Sequence, residues 1–181
     1  QGQASWETPA VYSLSQWWQH CADSLDPWQE SELKIPDKHQ ELTLWTRCVR
    51  ENPDSANLLR PRSAARLARD AYHNLLLWQI DRKQDSRFRY GEDHELFLAW
   101  ADRFEELCSE HDLTLQEAAI AQRTRNCPQR TLVLVDFDEL SPLYKSCLEA
   151  QAQELQYYSS MNQEAQVSLQ PCEHAAAELA A

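Results

Sequence analysis

The stretch TLVLVDFDELSP, residues 131–142, decides the fold of this chain. Its first five residues are apolar or β-branched, and such a continuous run is typical of a strand buried on both faces. Ser141 and Pro142 then supply an N-cap and a first-turn proline, which predict a helix running to about Glu154. The stretch therefore predicts a strand followed by a helix, the order found in α/β folds.

Three acids follow this strand, Asp136, Asp138 and Glu139. Phosphate-loop ATPases place carboxylates at this position to hold magnesium and to orient the attacking water. Such a site also needs a glycine-rich G-K-[ST] loop, which this sequence lacks. The favoured interpretation is structural: the acids and Ser141 end the strand and favour the start of the following helix.

Near both ends of the chain, further α/β elements are predicted. A short strand is predicted at residues 10–14, with Ser15 as the N-cap of a helix that contains Trp17 and Trp18. Beyond the central stretch, residues 155–160 and 165–170 are predicted as short strands, and a helix is expected to begin at Pro171.

The middle of the chain is predicted to be helical. Apolar residues at helical spacing predict helices from His39 to the region of Pro53, over residues 62–80, and around residues 97–108. A shorter helix is expected at residues 113–122, capped by Thr114 and followed by a polar loop at 123–130. On the helix of 62–80, the predicted apolar face consists of Ala64, Leu67, Ala68, Ala71, Leu75 and Trp78. Three tryptophans, Trp45, Trp78 and Trp100, are expected to pack in the core.

The predicted fold class is therefore mostly α, with α/β character at the flanks. We expect residues 1–27 and 127–181 to form the α/β part and residues 28–126 to form an inserted helical subdomain. Only two glycines occur in 181 residues, which argues against both a phosphate loop and a β-rich fold.

Composition restricts the other function classes. The net charge of −12 disfavours nonspecific nucleic-acid binding by the whole surface. The six cysteines lack the close C-x-x-C spacing of zinc ligands, and without a secretory signal they predict reduced thiols and a cytoplasmic protein. No apolar run is long enough to predict a membrane span. Neither a nuclease motif nor a G-x-S-x-G nucleophile motif is present in a suitable context.

One basic region stands out on this acidic chain. Between Arg60 and Tyr90 there are eight basic residues and only three acidic ones. On a helical wheel, three of its arginines and His73 share one side, opposite the predicted apolar face. The candidate DNA contacts are Arg62, Arg66, Arg69, Lys83, Arg87 and Arg89, which could follow a phosphate backbone. A solvated helix face paired with acidic neighbours is the alternative.

Several segments together resemble a known family. They are QELTLWTRCV, LLRPRSAARLARDAYHNLLLW, ELFLAWADRFEELC, RTLVLVDFDELSPLYKSCLEA and the final CEHAAAELAA, in this order. The sequence is similar along nearly all its length to the helicase-like part of AddB-type proteins. It resembles more closely a proteobacterial group of DNA-repair proteins that carry a PD-(D/E)xK nuclease domain at the far C-terminus.

The resemblance implies a UvrD-like superfamily I helicase fold, with a partial phosphate-loop-helicase-like parallel sheet and a large inserted helical subdomain. It implies that the chain is an internal piece of a longer parent, whose nuclease motif would follow Ala181. Helicases of this kind carry D-E-x-Q where this chain has D-F-D-E-L-S, so Asp136, Asp138 and Glu139 resemble a degenerate Walker B motif. Such helicase-like parts are commonly inactivated and act beside a motor subunit.

Three functional hypotheses follow. The first is a non-catalytic scaffold or DNA-binding module of a repair helicase–nuclease, without a cofactor or metal of its own. Its partners would be DNA, the other domains of the parent and a helicase motor subunit. The second is an ATPase fragment in which Asp138 or Glu139 holds magnesium, with ATP and magnesium as cofactors of the parent. The third is a protein–protein module with an acidic surface that binds a basic partner and no DNA.

Overall fold

A computed structural model describes residues 10–25, 33–84 and 91–159 of the chain. In these ranges the helices are α1 (Leu14–Asp23), α2 (Lys38–Glu51), α3 (Pro61–Leu77), α4 (Glu92–Glu110), α5 (Gln116–Asn126) and α6 (Pro142–Gln151). The strands are β1 (Arg130–Val135) and β2 (Ala152–Tyr158), and Pro53–Ser55 forms a 3-10 turn. The predicted class, mostly helical with a small α/β part, is confirmed at this level. The helicase-like fold and the domain boundaries stay predictions.

The start of α1 differs from the prediction. Residues 10–13 are not a strand, and the N-cap is Ser13 rather than Ser15. The reason is a capping box: the Ser13 hydroxyl accepts from the Gln16 amide, and the Gln16 side chain accepts from the Ser13 amide. Because this reciprocal pair begins the helix at Leu14, the apolar run before it does not extend into a strand.

Helix α2 begins and ends close to the predicted positions. The Asp37 carboxylate accepts from the amides of His39 and Gln40, both at 2.7 Å, and the Gln40 side chain accepts from the Asp37 amide. The helix ends at Glu51, since Asn52 is extended and Pro53 starts a 3-10 turn. The predicted buried residues Trp45 and Val49 are fully buried on this helix.

Helix α3 is shorter than predicted, and its buried face agrees with the predicted one only in part. It ends at Leu77, and its buried residues are Ala65, Ala68 and Tyr72. Three residues of the predicted apolar face are exposed, namely Leu67 at 67%, Trp78 at 43%, and Ala71. Two alanines allow α2 to pack closely against this side of α3, so small size determined the buried face more than hydrophobicity did. The predicted core position of Trp78 is wrong.

The apolar stripe of α4 is confirmed. Its buried residues are Trp100, Ala101, Phe104, Leu107 and Cys108, and Phe97 is partly buried against them. They form, with the buried faces of α2 and α3, one continuous core that we call the helical cluster. At its centre the rings of Trp45 and Phe104 stack with their centroids 4.3 Å apart, and Tyr72 contacts both rings.

Helix α5 lies three residues later than predicted. Thr114 does not cap it; its amide donates instead to the Lys34 carbonyl at 2.9 Å, beside a bridge between Lys34 and Leu113. This pairing keeps the chain extended until Leu115, which is the N-cap. The residues predicted as a polar loop after 122 continue the helix to Asn126.

The two strands pair in parallel, and α6 connects them. Ser141 caps α6 and Pro142 is its first residue, as predicted. The helix ends at Gln151 rather than near Glu154, because Ala152 is already extended and begins β2. Strand β2 includes most of the predicted strand at 155–160. The predicted strand at 165–170 and the helix from Pro171 lie outside the described residues.

The prediction that β1 is buried on both faces is not met within the described residues. Leu134 is buried, but its neighbours Val133 and Val135 are 54% and 51% exposed. Among the described residues the sheet is therefore covered on a single face. The covered face belongs to a second core, the sheet cluster, whose buried residues are Trp18, Cys21, Ile120, Leu134, Cys147 and Leu148.

Two general predictions can be compared with the described residues. Five cysteines there are free thiols, namely Cys21, Cys48, Cys108, Cys127 and Cys147. No helix within the described ranges has the length and apolar character needed to cross a membrane.

Candidate nucleic-acid interface

Helices α2 and α3 lie antiparallel and form a groove along one side. Glu41, near the start of α2, contacts His73, near the end of α3. At the other end, Arg50 of α2 and Arg62 of α3 line the same groove of about 520 Å³. The short connection between the helices, residues 52–60, requires this antiparallel arrangement.

The groove is lined mostly by polar and basic side chains. They are His39, Thr43, Thr46, Arg47, Arg50, Glu51 and Arg62, with Leu42 as the apolar member. Arg47 is paired with Glu51 at 2.6 Å, and Glu51 also lies 3.5 Å from Arg103. These arginine contacts lower the pKa of Glu51. Its carboxylate therefore stays charged and paired with Arg47 and Arg103. Within the described ranges neither Arg50 nor Arg62 has an acidic partner.

The predicted basic region divides in the structure. Arg62 and Arg66 are exposed on α3, and Arg66 too has no acidic partner in the described part of the chain. Arg69 is half-buried and forms an ion pair with its neighbour Asp70 at 2.7 Å. Arg87 and Arg89 lie outside the described residues. Of the candidate DNA contacts that the structure describes, only Arg62 and Arg66 therefore have guanidinium groups without an acidic partner.

Lys83 belongs to a different surface, at the side of α4. Its ammonium lies 3.6 Å from Asp102 and 3.8 Å from Glu105. The buried Arg82 beside it binds the same two acids at 2.9 and 2.8 Å. Burial opposes the charge of Arg82, but the hydrogen bonds that its guanidinium donates to these carboxylates outweigh burial and raise the arginine pKa. Lys83 thus helps to neutralise a structural ion network.

His73 does not lie on the exposed arginine face where the helical wheel placed it. Its ring Nε2 lies 2.7 Å from Glu41, and its Nδ1 lies 2.6 Å from Glu117 of α5. Both glutamates are buried, at 6% and 8% exposure. The hydrogen bond to Glu117 contributes most to raising the pKa of His73 to about 10, and the hydrogen bond to Glu41 contributes next. Burial acts in the opposite direction and lowers this pKa. The ring is therefore an imidazolium that joins α2, α3 and α5.

Of the three acids after β1, Asp136 continues the strand pairing and the other two lie in the connection to α6. Asp136 has a φ of 54°, and its amide donates to the Tyr158 carbonyl at 2.9 Å, which extends the strand pairing by one residue. Asp138 and Glu139 are exposed in the connection to α6. In the portion of the chain that the structure describes, no three His, Cys, Asp or Glu residues are grouped to hold a metal ion. The hypothesis of an ATPase site stays a prediction.

Sequence reasoning missed the contribution of α2 to the basic groove. Arg47 and Arg50 stand three residues apart on a helix, and the connection to Arg62 is short. Charged residues were grouped by their proximity in the sequence, so Arg47 and Arg50 were not joined to the arginines of α3. An antiparallel pairing of the two helices, which the short connection already indicates, would have brought Arg50 and Arg62 together.

Comparisons with protein-family models, with curated proteins and with solved structures found no match to this chain.

Proposed function

We propose that this chain is a non-catalytic DNA-binding module of a larger repair or recombination protein, and that it contacts DNA through the groove between α2 and α3. The observation that carries the proposal is a set of guanidinium groups at this groove that have no acidic partner among the described residues, on a chain of net charge −12. On such an acidic chain, free arginines concentrated in one place favour an anionic ligand.

The chemistry of arginine supports a phosphate ligand. A guanidinium group donates a fork of hydrogen bonds that fits phosphate oxygens, and it remains charged at any physiological pH. Arg62 and Arg66 are one helical turn apart on α3, and Arg50 faces Arg62 across the groove. This arrangement suits successive phosphates of one strand. The resemblance to AddB-type proteins supports the same proposal and adds a cytoplasmic location, a helicase-like fold and a motor partner.

The proposal is tested by binding of labelled single-stranded and forked DNA, measured by fluorescence anisotropy at increasing salt. About three phosphate contacts predict a slope of roughly −2 for log affinity against log salt concentration on single-stranded DNA. A triple charge reversal, Arg50→Glu, Arg62→Glu and Arg66→Glu, should abolish binding.

The matched control is a triple charge reversal elsewhere, Arg125→Glu, Arg130→Glu and Lys145→Glu, which changes the net charge equally. It should weaken binding only through the general field of the protein. Equal loss of affinity in both triple variants would contradict the proposed groove, and absence of DNA binding by the unmodified chain at low salt would contradict the proposed function.

A second candidate, a protein–protein module, has its own observation. The outer face of the sheet exposes Val133, Val135 and Tyr158, near the exposed acids Asp138 and Glu139. An apolar centre with an acidic edge fits a partner with an apolar centre and a basic edge. A designed helical peptide with a leucine stripe and lysine flanks should bind, and Val133→Asn should weaken it. Equal binding of the same peptide with glutamate flanks would contradict the basic partner.

The ATPase alternative predicts that Mg-ATP stabilises a longer form of the protein. A ligand that binds the folded state alone stabilises it by RT ln(1 + [L]/Kd), so the melting temperature rises with ligand concentration. An unchanged melting temperature with saturating Mg-ATP would count against Asp138 or Glu139 as magnesium ligands.

A further inference from the structure

Two of the cysteines, Cys21 and Cys127, meet where α1 packs against the end of α5. The Cys127 thiol donates to the Cys21 carbonyl at 3.4 Å. Both residues line one small cavity, whose lining also includes the exposed Ser24 and Arg130. The two cysteines are 106 positions apart in the sequence. The packing of α1 against α5 therefore brings them together, rather than any local pattern.

The two thiols also interact with each other. Burial is the main reason that the pKa of the Cys21 thiol is raised to about 11. Gln151, whose amide nitrogen donates to the Cys21 sulfur at 3.0 Å, opposes this increase. The charge of Cys127 and a hydrogen bond with its side chain act in the same direction as burial. A thiol is a weak donor and acceptor, so such a hydrogen bond requires the two side chains to be in close contact.

The two thiols differ in their access to solvent. Cys21 is 2% exposed, whereas Cys127 is the one cysteine of the five described that is not buried. Oxidation of a thiol to a sulfenic acid follows its exposure, and a sulfenic acid condenses with a neighbouring thiol to a disulfide. An accessible cysteine beside a second, resolving cysteine is the usual arrangement of a redox-sensitive pair. Here Cys127 is the accessible thiol and Cys21 is its neighbour.

The other described cysteines lack this combination. Cys48 and Cys108 are buried in the helical cluster, where burial raises their pKa values to about 12 and about 11. Cys147 is buried in the sheet cluster, and burial raises its pKa as well. Buried cysteines that stay protonated are inert towards oxidants, because the thiolate is the reactive form. Within the described ranges, Cys127 is therefore the thiol that a small oxidant reaches first.

We propose that Cys21 and Cys127 are a redox-sensitive pair, which a peroxide converts into an intramolecular disulfide. In the first step the Cys127 sulfur attacks one oxygen of hydrogen peroxide, and the O–O bond breaks. The other oxygen leaves as water with the Cys127 proton, and Cys127 becomes a sulfenic acid. In the second step the Cys21 sulfur displaces the hydroxyl group of this acid, which leaves as water with the Cys21 proton. The two thiols together lose two electrons, which the peroxide gains.

The disulfide would connect distant parts of the chain. Cys127 is the C-cap residue of α5 and lies just before β1, whereas Cys21 lies near the end of α1. The bond closes a loop that spans 106 positions and includes the whole helical cluster. A link across a long loop lowers the entropy of the unfolded chain and so stabilises the folded one. This proposal is independent of the groove between α2 and α3, and either can fail alone.

The experiment treats the reduced 181-residue chain with hydrogen peroxide, alkylates the remaining thiols under denaturing conditions and maps the disulfides by peptide mass spectrometry. Two of the six thiols should be lost, and the linked peptides should be those of Cys21 and Cys127. A thiol count that stays at six would overturn the proposal. So would a bridge from either residue to another cysteine, such as Cys172.

Two variants separate the roles of the two thiols. Cys21→Ala removes the resolving thiol, so the sulfenic acid of Cys127 should accumulate and be trapped by dimedone. Cys127→Ala removes the point of attack, so Cys21 should form neither a bridge nor a dimedone adduct. Dimedone labelling of Cys21 without labelling of Cys127 would overturn the assigned order of the steps. If a variant fails to fold, the mapping on the unmodified chain still decides whether the bridge forms.

The matched control is Cys147→Ala, because Cys147 is buried in the same sheet cluster as Cys21. It should form the bridge as the unmodified chain does, and loss of the bridge there would overturn the assignment to Cys21 and Cys127.

A melting experiment tests whether the bridge fits the folded chain. Oxidation should raise the melting temperature by about 5–15 °C, the size expected for a long closed loop, and a thiol reductant should reverse the change. A lower melting temperature after oxidation would overturn a bridge that fits the native arrangement of α1 and α5.

Discussion

The helical cluster and the sheet cluster close their apolar surfaces to different extents. In the helical cluster, Trp45, Val49, Phe104 and Leu107 are completely buried, and aromatic rings contact one another at its centre. In the sheet cluster, Leu134 is buried while Val133 and Val135 of the same strand are about half exposed. Among the described residues, one region is therefore closed by its own helices, and the other has a sheet face that no described element covers.

The difference follows from the geometry of the elements. A helix has one apolar stripe, which two neighbouring helices can cover. A parallel strand has two apolar faces, and parallel sheets are normally covered by helices on both. Helices α1, α5 and α6 contribute to the cluster on one face only among the described elements. The helical cluster should therefore contribute most of the stability, and the outer sheet face should contribute little.

The largest expected effect is at the aromatic centre of the helical cluster. Phe104→Ala removes a fully buried ring that stacks on Trp45, and we expect a loss of about 3–5 kcal/mol in the free energy of unfolding. Urea denaturation followed by circular dichroism measures it. Phe137→Ala is the matched control in the sheet region, where the ring is 40% exposed, and it should cost less than about 1 kcal/mol. Similar losses would contradict the contrast between the two regions.

The next effect concerns the imidazolium that holds three helices together. His73→Gln leaves Glu41 and Glu117 without their shared cation, and we expect a loss of about 2 kcal/mol at neutral pH. His39→Gln is the matched control, since His39 is exposed near the start of α2. A loss below about 0.5 kcal/mol in His73→Gln would contradict a stabilising role for the ion triad.

The same residue predicts a pH dependence with a defined sign. Its folded pKa is raised to about 10, whereas a histidine in an unfolded chain titrates near about 6.5. The stabilisation is therefore complete below about pH 6.5 and is lost as the pH rises through about 10. The difference in unfolding free energy between the unmodified chain and His73→Gln should shrink over this interval. A constant difference from pH 6 to pH 10 would contradict the assigned protonation state.

A smaller effect is expected at the helix N-caps, whose hydrogen bonds differ between the two regions. Asp37 at the start of α2 accepts two amide hydrogen bonds at 2.7 Å, whereas Ser141 at the start of α6 accepts one at 3.4 Å. We expect Asp37→Ala to cost about 1 kcal/mol and Ser141→Ala about half of that, measured by urea denaturation. An equal or larger cost for Ser141 would show that α6 depends on its cap more than the distances indicate.

The spacing of apolar residues correctly predicted the buried faces of α2 and α4, which consist of large side chains. It failed in part on α3, where two of the buried residues are alanines. Trp45 and Val49 on α2, and Phe104 on α4, fall where the apolar pattern put them. On α3 the pattern correctly put Ala68 in the core, but it also favoured Leu67, whereas Ala65 and Tyr72 are the other buried residues. A helical wheel weights residues by hydrophobicity and contains no information about the distance to a neighbouring helix.

The candidate site was predictable only in part, for a related reason. Arg62 and Arg66 are exposed as expected, yet His73, four residues after Arg69, lies between buried glutamates from α2 and α5. Those partners are 32 and 44 residues away in sequence, so no local pattern could identify them.

The smallest expected effect tests whether the outer sheet face is open. Val135→Thr preserves the β-branched shape and removes apolar surface at a position that is 51% exposed. If the face is open to solvent, the free energy of unfolding in urea should change by less than about 0.5 kcal/mol, because an exposed methyl group gains little from folding. Leu134→Ala, at the buried neighbouring position, is the control and should cost about 2–4 kcal/mol. A loss of more than about 1 kcal/mol in Val135→Thr would mean that another part of this same chain covers the face, since no other molecule is present in the measurement.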